Sequence, residues 1–302
     1  MTSVRIIGPG RAGLSFARAL AAVGIEVRGV LGRADEIGSA AAGVDLLLLA
    51  VPDRAIAAVA SVIRPEASTV VAHCSGALGL DVLGAHERVA LLHPLSTLPD
   101  PFIGAGRLRS GGYFAVAGDQ LVTDIVTALG GRPVAIPPEA RPLYHAAACV
   151  ASNHLVALLG QVERIAASIG LPLEAFLPLA RGALDDVGLL GPKAALTGPA
   201  ARGDVFTLER HRRAVDPAEL AGYDAGVALA RRLATSELPE PPELPELPEP
   251  PELPELPELP ELPELPELPE PPEPTGACSV EGHRERAVDA ELAGIVGTGS
   301  WR

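Results

Sequence analysis

The sequence predicts an α/β fold: an N-terminal doubly wound, mostly parallel sheet, then a smaller all-helical domain and a disordered Pro/Glu-rich tail. Three observations carry this. A short apolar run, "VRIIG", leads into glycines at 8, 10 and 13 and then into a helical pattern. The run "VDLLLLAVPD" is continuously apolar at its centre, as a strand covered on both faces is. Beyond Pro137-Pro138 the strand patterns stop and helical ones take over, until a Glu/Leu/Pro repeat begins at Glu237.

Taken in order, "VRIIG" reads as a buried strand and "LSFARALAAVG" as a helix closed by Gly24. "IEVRGVLGR" and "VDLLLLAVPD" are the second and third strands. "STVVAHCSG", "RVALLHPLS", "GGYFAVAG" and "RPVAIP" follow, with helical patterns at 53–63 and 119–129. Strands alternating with helices imply parallel pairing through right-handed crossovers. From Arg141 to Ile169 the pattern is one long helix. "LEAFLPLARGALDDVGLL" and "DPAELAGYDAGVALARRLA" continue the helical region to about Leu233. The expected domains are 1–138, 139–236 and 237–302.

The tail repeats Glu every third residue from Glu237 to Glu273, with proline as often or more. Proline excludes helix and sheet interiors, and a period of three matches polyproline II, so the glutamates would line one ridge of an extended rod. It reads as a tolerated repeat dispensable for folding, or as a spacer or ligand for a protein partner. Its 13 glutamates account for most of the net charge of −14; without them 25 acidic residues face 24 basic ones. No field remains to attract nucleic acid or an anionic membrane.

The chain has 302 residues, 48% hydrophobic but only 3% aromatic, so its core must be Ala, Leu and Val. No apolar run reaches the roughly 18–20 residues of a membrane span. Arg5, Arg11 and Arg18 interrupt any signal-peptide core. Cys74, Cys149 and Cys278 have no metal-ligand spacing, which argues against a zinc site and fits a reducing cytoplasm.

The glycine run is a G-x-G-x-x-G between strand and helix, the context of a Rossmann-like dinucleotide loop. Gly8 would make the tight turn, Gly10 would admit a pyrophosphate, and Gly13 would let helix and sheet close. Arg11 and Ala12 would offer first-turn N–H groups to the phosphates. At the end of the second strand a carboxylate selects NAD. Here "GVLGRADE" puts Gly32 and Arg33 there, so Arg33 is the candidate partner of a 2′-phosphate and NADP the expected cofactor. Asp35 and Glu36 follow slightly late. Val51 and Pro52 of "AVPD" would face the cofactor, and Ser75 is placed with them.

Four further stretches stand out: "HCSGALG" (73–79), "LLHPLSTL" (91–98), "LYHAAACVASNHLVALL" (143–159) and "ALTGPAARGDVFTLERH" (195–211). With the glycine loop they resemble, over roughly residues 4–233, a family that joins a Rossmann-like domain to a C-terminal domain of unknown function. That family is similar in layout to pyrroline-5-carboxylate and ketopantoate reductases. The resemblance implies an NADPH-dependent reductase of a small 2-oxo acid, with ketopantoate (2-dehydropantoate) first, and a homodimer. A cyclic imine carboxylate reductase and a non-catalytic NADP-binding scaffold are the alternatives.

A hydride acceptor needs a proton source and an anchor. His73 and His93 lie at strand ends, where ligands of open parallel sheets bind; a buried histidine bonded to backbone is the other reading of each. On the long helix His145 and Ser152 are seven apart and Asn153 lies beside them. Related reductases place a lysine and an asparagine on this helix. The single lysine here is Lys193, elsewhere, and Arg141 is a poor general acid. The catalytic expectation therefore falls on His145, with Asn153 orienting the carbonyl and His93 as second candidate. His73, Ser152 and Arg202 are the expected substrate contacts, Arg202 through a bidentate carboxylate pair.

Overall fold

The computed structural model describes residues 2–236; the predicted tail lies outside them. Seven strands form one sheet: β1 (Ser3–Ile7), β2 (Glu26–Leu31), β3 (Leu46–Leu49), β4 (Val70–His73), β5 (Val89–Pro94), β6 (Tyr113–Gly118) and β7 (Arg132–Ala135), in the order β2-β1-β3-β4-β5-β6-β7. All pairs are parallel except β5–β6. The order reverses beside β1, which creates a switch-point crevice at the carboxyl ends of β1 and β3.

The alternation of β3 shows why both faces are covered. Leu46 and Leu48 join Val4, Ile6, Phe16 and Leu20 in one core cluster, with α1 (Arg11–Ala22). Leu47 and Leu49 join Ile7, Ile56, Ala60 and Val71 in the other, with α2 (Asp53–Val62). Four consecutive leucines suit a strand buried on two sides, and all four are fully buried.

One helix of this half has no counterpart in the sequence reading. α3 (Pro101–Leu108) is capped by Asp100, whose carboxylate accepts from the Phe102 and Ile103 amides. It packs on α1 through Gly104, where a Cβ would stand 2.1 Å from Ser15 Oγ. α4 (Leu121–Ala128) then precedes β7.

Beyond Ala135 the chain is helical. α5 (Arg141–Cys149) and α6 (Leu155–Ala167) form one continuous rod, interrupted by a π-turn at Val150–His154. α7 (Leu177–Leu190), α8 (Pro192–Ala195), α9 (Pro199–Arg202), α10 (Val205–Ala214) and α11 (Leu220–Thr235) follow. Asp204 caps α10 through the Thr207 amide. Among residues 139–236 only Arg141, Ala166 and Leu208 are buried. Leu143, Leu179, Leu189 and Phe206 are each more than 70% exposed.

The expectation that no segment is long and apolar enough to span a membrane needs correction. The 30-residue helical run Pro138–Ala167 meets that test by length and composition. It escapes a scan for unbroken apolar runs because Arg141, His145 and Glu163 punctuate it.

Candidate active site

The glycine loop is built by backbone sterics at two positions and left open at the third. Gly8 has φ +115°, and a Cβ there would stand 2.3 Å from the Ala50 carbonyl oxygen. At Gly13 a Cβ would stand 1.9 Å from the Gly8 carbonyl oxygen. Both glycines are therefore required by the protein itself. Gly10 is different: nothing lies within 4 Å of its would-be Cβ. Its lack of a side chain leaves a cradle at the N-terminus of α1, which has no side-chain cap and no acidic residue in its first turn. Such a cradle fits a pyrophosphate, with the Arg11, Ala12 and Gly13 amides positioned to receive it.

At the end of β2 the structure changes the reading of "GVLGRADE". Arg33 is exposed. Asp35, however, folds back, and its Oδ2 accepts from the Gly32 amide at 2.6 Å. The strand end thus carries a carboxylate as well as a guanidinium.

After β3, Val51 is half-buried and Pro52 exposed ahead of α2. After β4, two expected ligand contacts prove to be committed within the protein. His73 is fully buried; its Nδ1 accepts from the Ser75 amide at 3.2 Å, and its Nε2 donates to the Gly79 carbonyl at 3.0 Å. Burial, and secondarily Arg141, push its pKa down, which keeps the ring neutral. It therefore fixes the 75–79 loop rather than touching substrate. Ser75 Oγ donates to Asp53 Oδ2 at 2.7 Å and accepts from the Ala77 and Leu78 amides. Its proton and both lone pairs are used, so it holds the turn and offers no side-chain contact to a cofactor.

The remaining groups meet where β5 faces α5. A cavity of about 210 Å³, lined by Ala12, Phe16, Cys74, His93, Pro94 and Ser96 among others, opens beside the glycine loop. A second, of about 470 Å³, lies between the 93–97 segment and the α5/π-turn surface; Tyr144, His145, Cys149, Ser152 and Asn153 line it. His93, Pro94 and Ser96 belong to both.

His93 Nδ1 lies 2.8 Å from the Tyr144 hydroxyl. The ring of His145 meets His93 edge-on, centroids 6.1 Å apart, and its Nε2 is 3.7 Å from Cys149 Sγ. His145 Nδ1 is buried without a hydrogen-bond partner. Both rings press on Gly76: a Cβ there would stand 2.7 Å from His145 Nδ1 and 2.8 Å from His93 Nε2. Burial, with His145 beside it, pushes His93 down to about 4, and burial pushes Tyr144 up to about 12. The Ser152 hydroxyl donates to the Ala148 carbonyl at 2.7 Å, whereas Asn153 is exposed at the cavity wall. A π-turn at this point is a recurrent device of functional helices.

Five of the expected residues therefore meet or adjoin: His93, His145, Ser152 and Asn153 around the larger cavity, and Ala12 at the smaller. Arg202 does not join them. It is exposed at the end of α9 and lines neither cavity. Tyr144, Gly76 and Cys149 were missed as site residues. Tyr144 stands one residue before a histidine already singled out, and Gly76 lies inside the quoted "HCSGALG".

Comparison with known proteins agrees with this architecture. Residues 115–230 match the family model described as a domain of unknown function, DUF2520, as the sequence resemblance implied. No curated protein matches the chain. Among solved structures, a Bacteroides fragilis protein provisionally named an NADP oxidoreductase is 21% identical, with a TM-score of 0.64 over 76% of this chain and 98% of its own. Protein TM1727 of Thermotoga maritima is 28% identical, with a TM-score of 0.57 over 76% and 98%. A reductive aminase of Aspergillus terreus, solved with NADPH4, cyclohexanone and allyl amine, is 18% identical, with a TM-score of 0.58 over 77% and 94%. These likenesses establish the fold.

Proposed function

We propose that this chain is an NADPH-dependent reductase of a small carbonyl or imine compound. The observation that carries the reading is the shared wall: His93, Pro94 and Ser96 line both the cavity at the glycine loop and the larger cavity beside α5. A ligand in one would abut a ligand in the other, as hydride transfer requires. The cradle at Gly10 and the uncapped N-terminus of α1 would hold the pyrophosphate, and Arg33 the 2′-phosphate. Bound NADPH would supply the hydride. The protein's own part is to orient the acceptor with Asn153, exclude water with the apolar wall of α5, and deliver a proton.

The fold likeness to nicotinamide-dependent proteins supports this reading. So does the resemblance of the sequence motifs, which makes 2-dehydropantoate the first substrate to try. A cyclic imine is the second reading. One observation favours it: no lysine or arginine is among the residues lining the larger cavity, whose polar groups are hydroxyls, an amide and imidazoles. NADPH oxidation should therefore be followed with 2-dehydropantoate, other 2-oxo acids, 1-pyrroline-5-carboxylate and carboxylate-free 1-pyrroline. Turnover of a 2-oxo acid or of an imine separates the readings. Tight NADPH binding without any turnover would leave a scaffold.

Cofactor choice turns on two side chains at one strand end. If Arg33 holds a 2′-phosphate, NADPH binds about 10–100-fold more tightly than NADH, the worth of a charge-assisted pair. Arg33→Ala then removes the difference in a fluorescence titration. A preference for NADH lost in Asp35→Ala would give the strand end to Asp35 instead.

The exposed leucines of the helical half support a homodimer. With three buried residues, the helical layer leaves Leu143, Leu179, Leu189 and Phe206 largely exposed, and apolar surface of this kind marks interaction sites. Light scattering on the full chain is expected to give twice the 31.0 kDa of one chain; a monomer at micromolar concentration refutes the dimer.

A further inference from the structure

Reduction of a C=O or C=N bond leaves a basic oxygen or nitrogen that must take a proton. The groups around the larger cavity differ in how they can supply one. His145, the donor expected from the sequence, has its Nδ1 buried without a partner against Gly76 and its Nε2 turned to Cys149 Sγ. Ser152 has its hydroxyl proton committed to the Ala148 carbonyl. His93 is desolvated and lies near two other histidines, so at neutral pH it carries no charge to give away. Tyr144 is a hydroxyl that keeps its proton, half-buried at the cavity wall, with its oxygen 2.8 Å from His93 Nδ1. The two rings meet edge to face at 86°, which fixes the direction of the phenol.

We propose that the Tyr144 hydroxyl is the catalytic proton donor of this site, and that His93 is the positioning residue that holds and recharges it. The proposal rests on the reductase reading above. With its proton on Nδ1, His93 donates to Tyr144 Oη, which frees the phenol O–H to point into the cavity. In the step, the Tyr144 O–H bond breaks and an O–H or N–H bond forms on the substrate. The Nδ1 proton of His93 passes to the phenolate oxygen, and Nε2 takes a proton from water. One solvent proton is consumed and neither residue keeps a charge. Nε2 lies against the Cα of Gly76, beside the ring of His145. The titratable groups near the pair are His145 and Cys149 from α5, His73 from β4, and Asp53 from α2. Asp53 raises the proton affinity of His93 and the two histidines lower it.

The test uses the full chain saturated with NADPH and whichever compound of the panel turns over. Tyr144→Phe is expected to lower kcat about 10²–10⁴-fold with the NADPH affinity unchanged. His93→Gln lowers kcat while KM stays. The unmodified protein keeps kcat level from pH 6 to about 9, because a phenol remains protonated there. An imidazolium donor of ordinary pKa, about 6.5, would lose a factor of ten per pH unit above neutrality. A readout independent of turnover is the ¹⁵N spectrum of His93 in the NADPH-free protein. Its ring stays neutral to below pH 5, and its Nδ1 resonance shifts in Tyr144→Phe. An unchanged kcat in Tyr144→Phe, a rate falling above pH 7, or a His93 titrating above pH 6 overturns the proposal alone. NADPH binding with no turnover of any panel compound overturns the reductase reading and this proposal with it.

Discussion

Gly13→Ala is expected to destabilise the folded chain by about 3 kcal/mol and to abolish dinucleotide binding. The added methyl would have to occupy a point 1.9 Å from the Gly8 carbonyl oxygen. That neighbour is backbone, pinned at the turn where the Gly8 amide donates to the Leu31 carbonyl. It cannot swing aside as a side chain could, so α1 must lift from the sheet, and overpacking of this kind carries a cost of that order. The melting temperature should fall by about 6–12 °C for a domain of this size. Gly10→Ala is the informative partner. Its methyl meets no protein atom within 4 Å, so the melting temperature should hold. The methyl would occupy the place of a phosphate oxygen, and NADPH affinity should drop at least about tenfold. If Gly10→Ala bound NADPH normally, the cradle would have no ligand and the reductase reading would lose its cofactor.

Gly76→Ala should separate folding from catalysis in the opposite sense. The neighbours of its would-be Cβ are the ring atoms of His93 and His145, 2.7–2.8 Å away. Rings can tilt, so the fold tolerates the change and NADPH binding persists. The tilt would, however, break the 2.8 Å contact of His93 with Tyr144 and alter the shape of the larger cavity. A displacement of about 1 Å at a reacting centre lowers kcat/KM on the order of 10²-fold. Unaltered turnover would mean that the two imidazoles are bystanders.

What the sequence disclosed about the fold follows from where its signals are local. All seven strands were legible, because each is a short apolar run bounded by glycine, proline or charge. The antiparallel turn of β6 was not, since strand direction depends on the path of the 95–112 connection. α3 was hidden by its own packing requirement: "PFIGAGRL" reads as a glycine-rich loop, yet Gly104 is what lets α3 approach α1.

At the site, the glycine loop could be read because its chemistry is written in consecutive residues. His73 and His93 looked alike, each ending a strand. They part only in three dimensions, where the 75–79 backbone satisfies both nitrogens of His73 while His93 reaches a tyrosine 51 positions away. Asp35 was read only as slightly late in sequence, because a tight turn that returns its carboxylate to Gly32 leaves no trace in linear spacing. Arg202 was assigned to the substrate from its place in a quoted motif and the chemistry of its guanidinium, and in the fold it is exposed and lines neither cavity.

The π-turn at Val150–His154 has a geometric consequence for how this protein can change. A π-turn holds one residue more than the α-helical turn it replaces, and each α-helical residue rotates the chain by about 100°. The turn therefore works as a phase shifter in the middle of the rod. Everything before it, including Tyr144, His145 and Cys149, keeps its azimuth against the sheet. Everything after it is dialled round as a block. Deleting one residue here, such as Ala151, would leave the α5 side chains in place while re-aiming Val156 and Leu158, the exposed apolar residues of α6. A one-residue indel could thus redirect the face offered to a neighbouring chain while the groups on α5 remain at their stations.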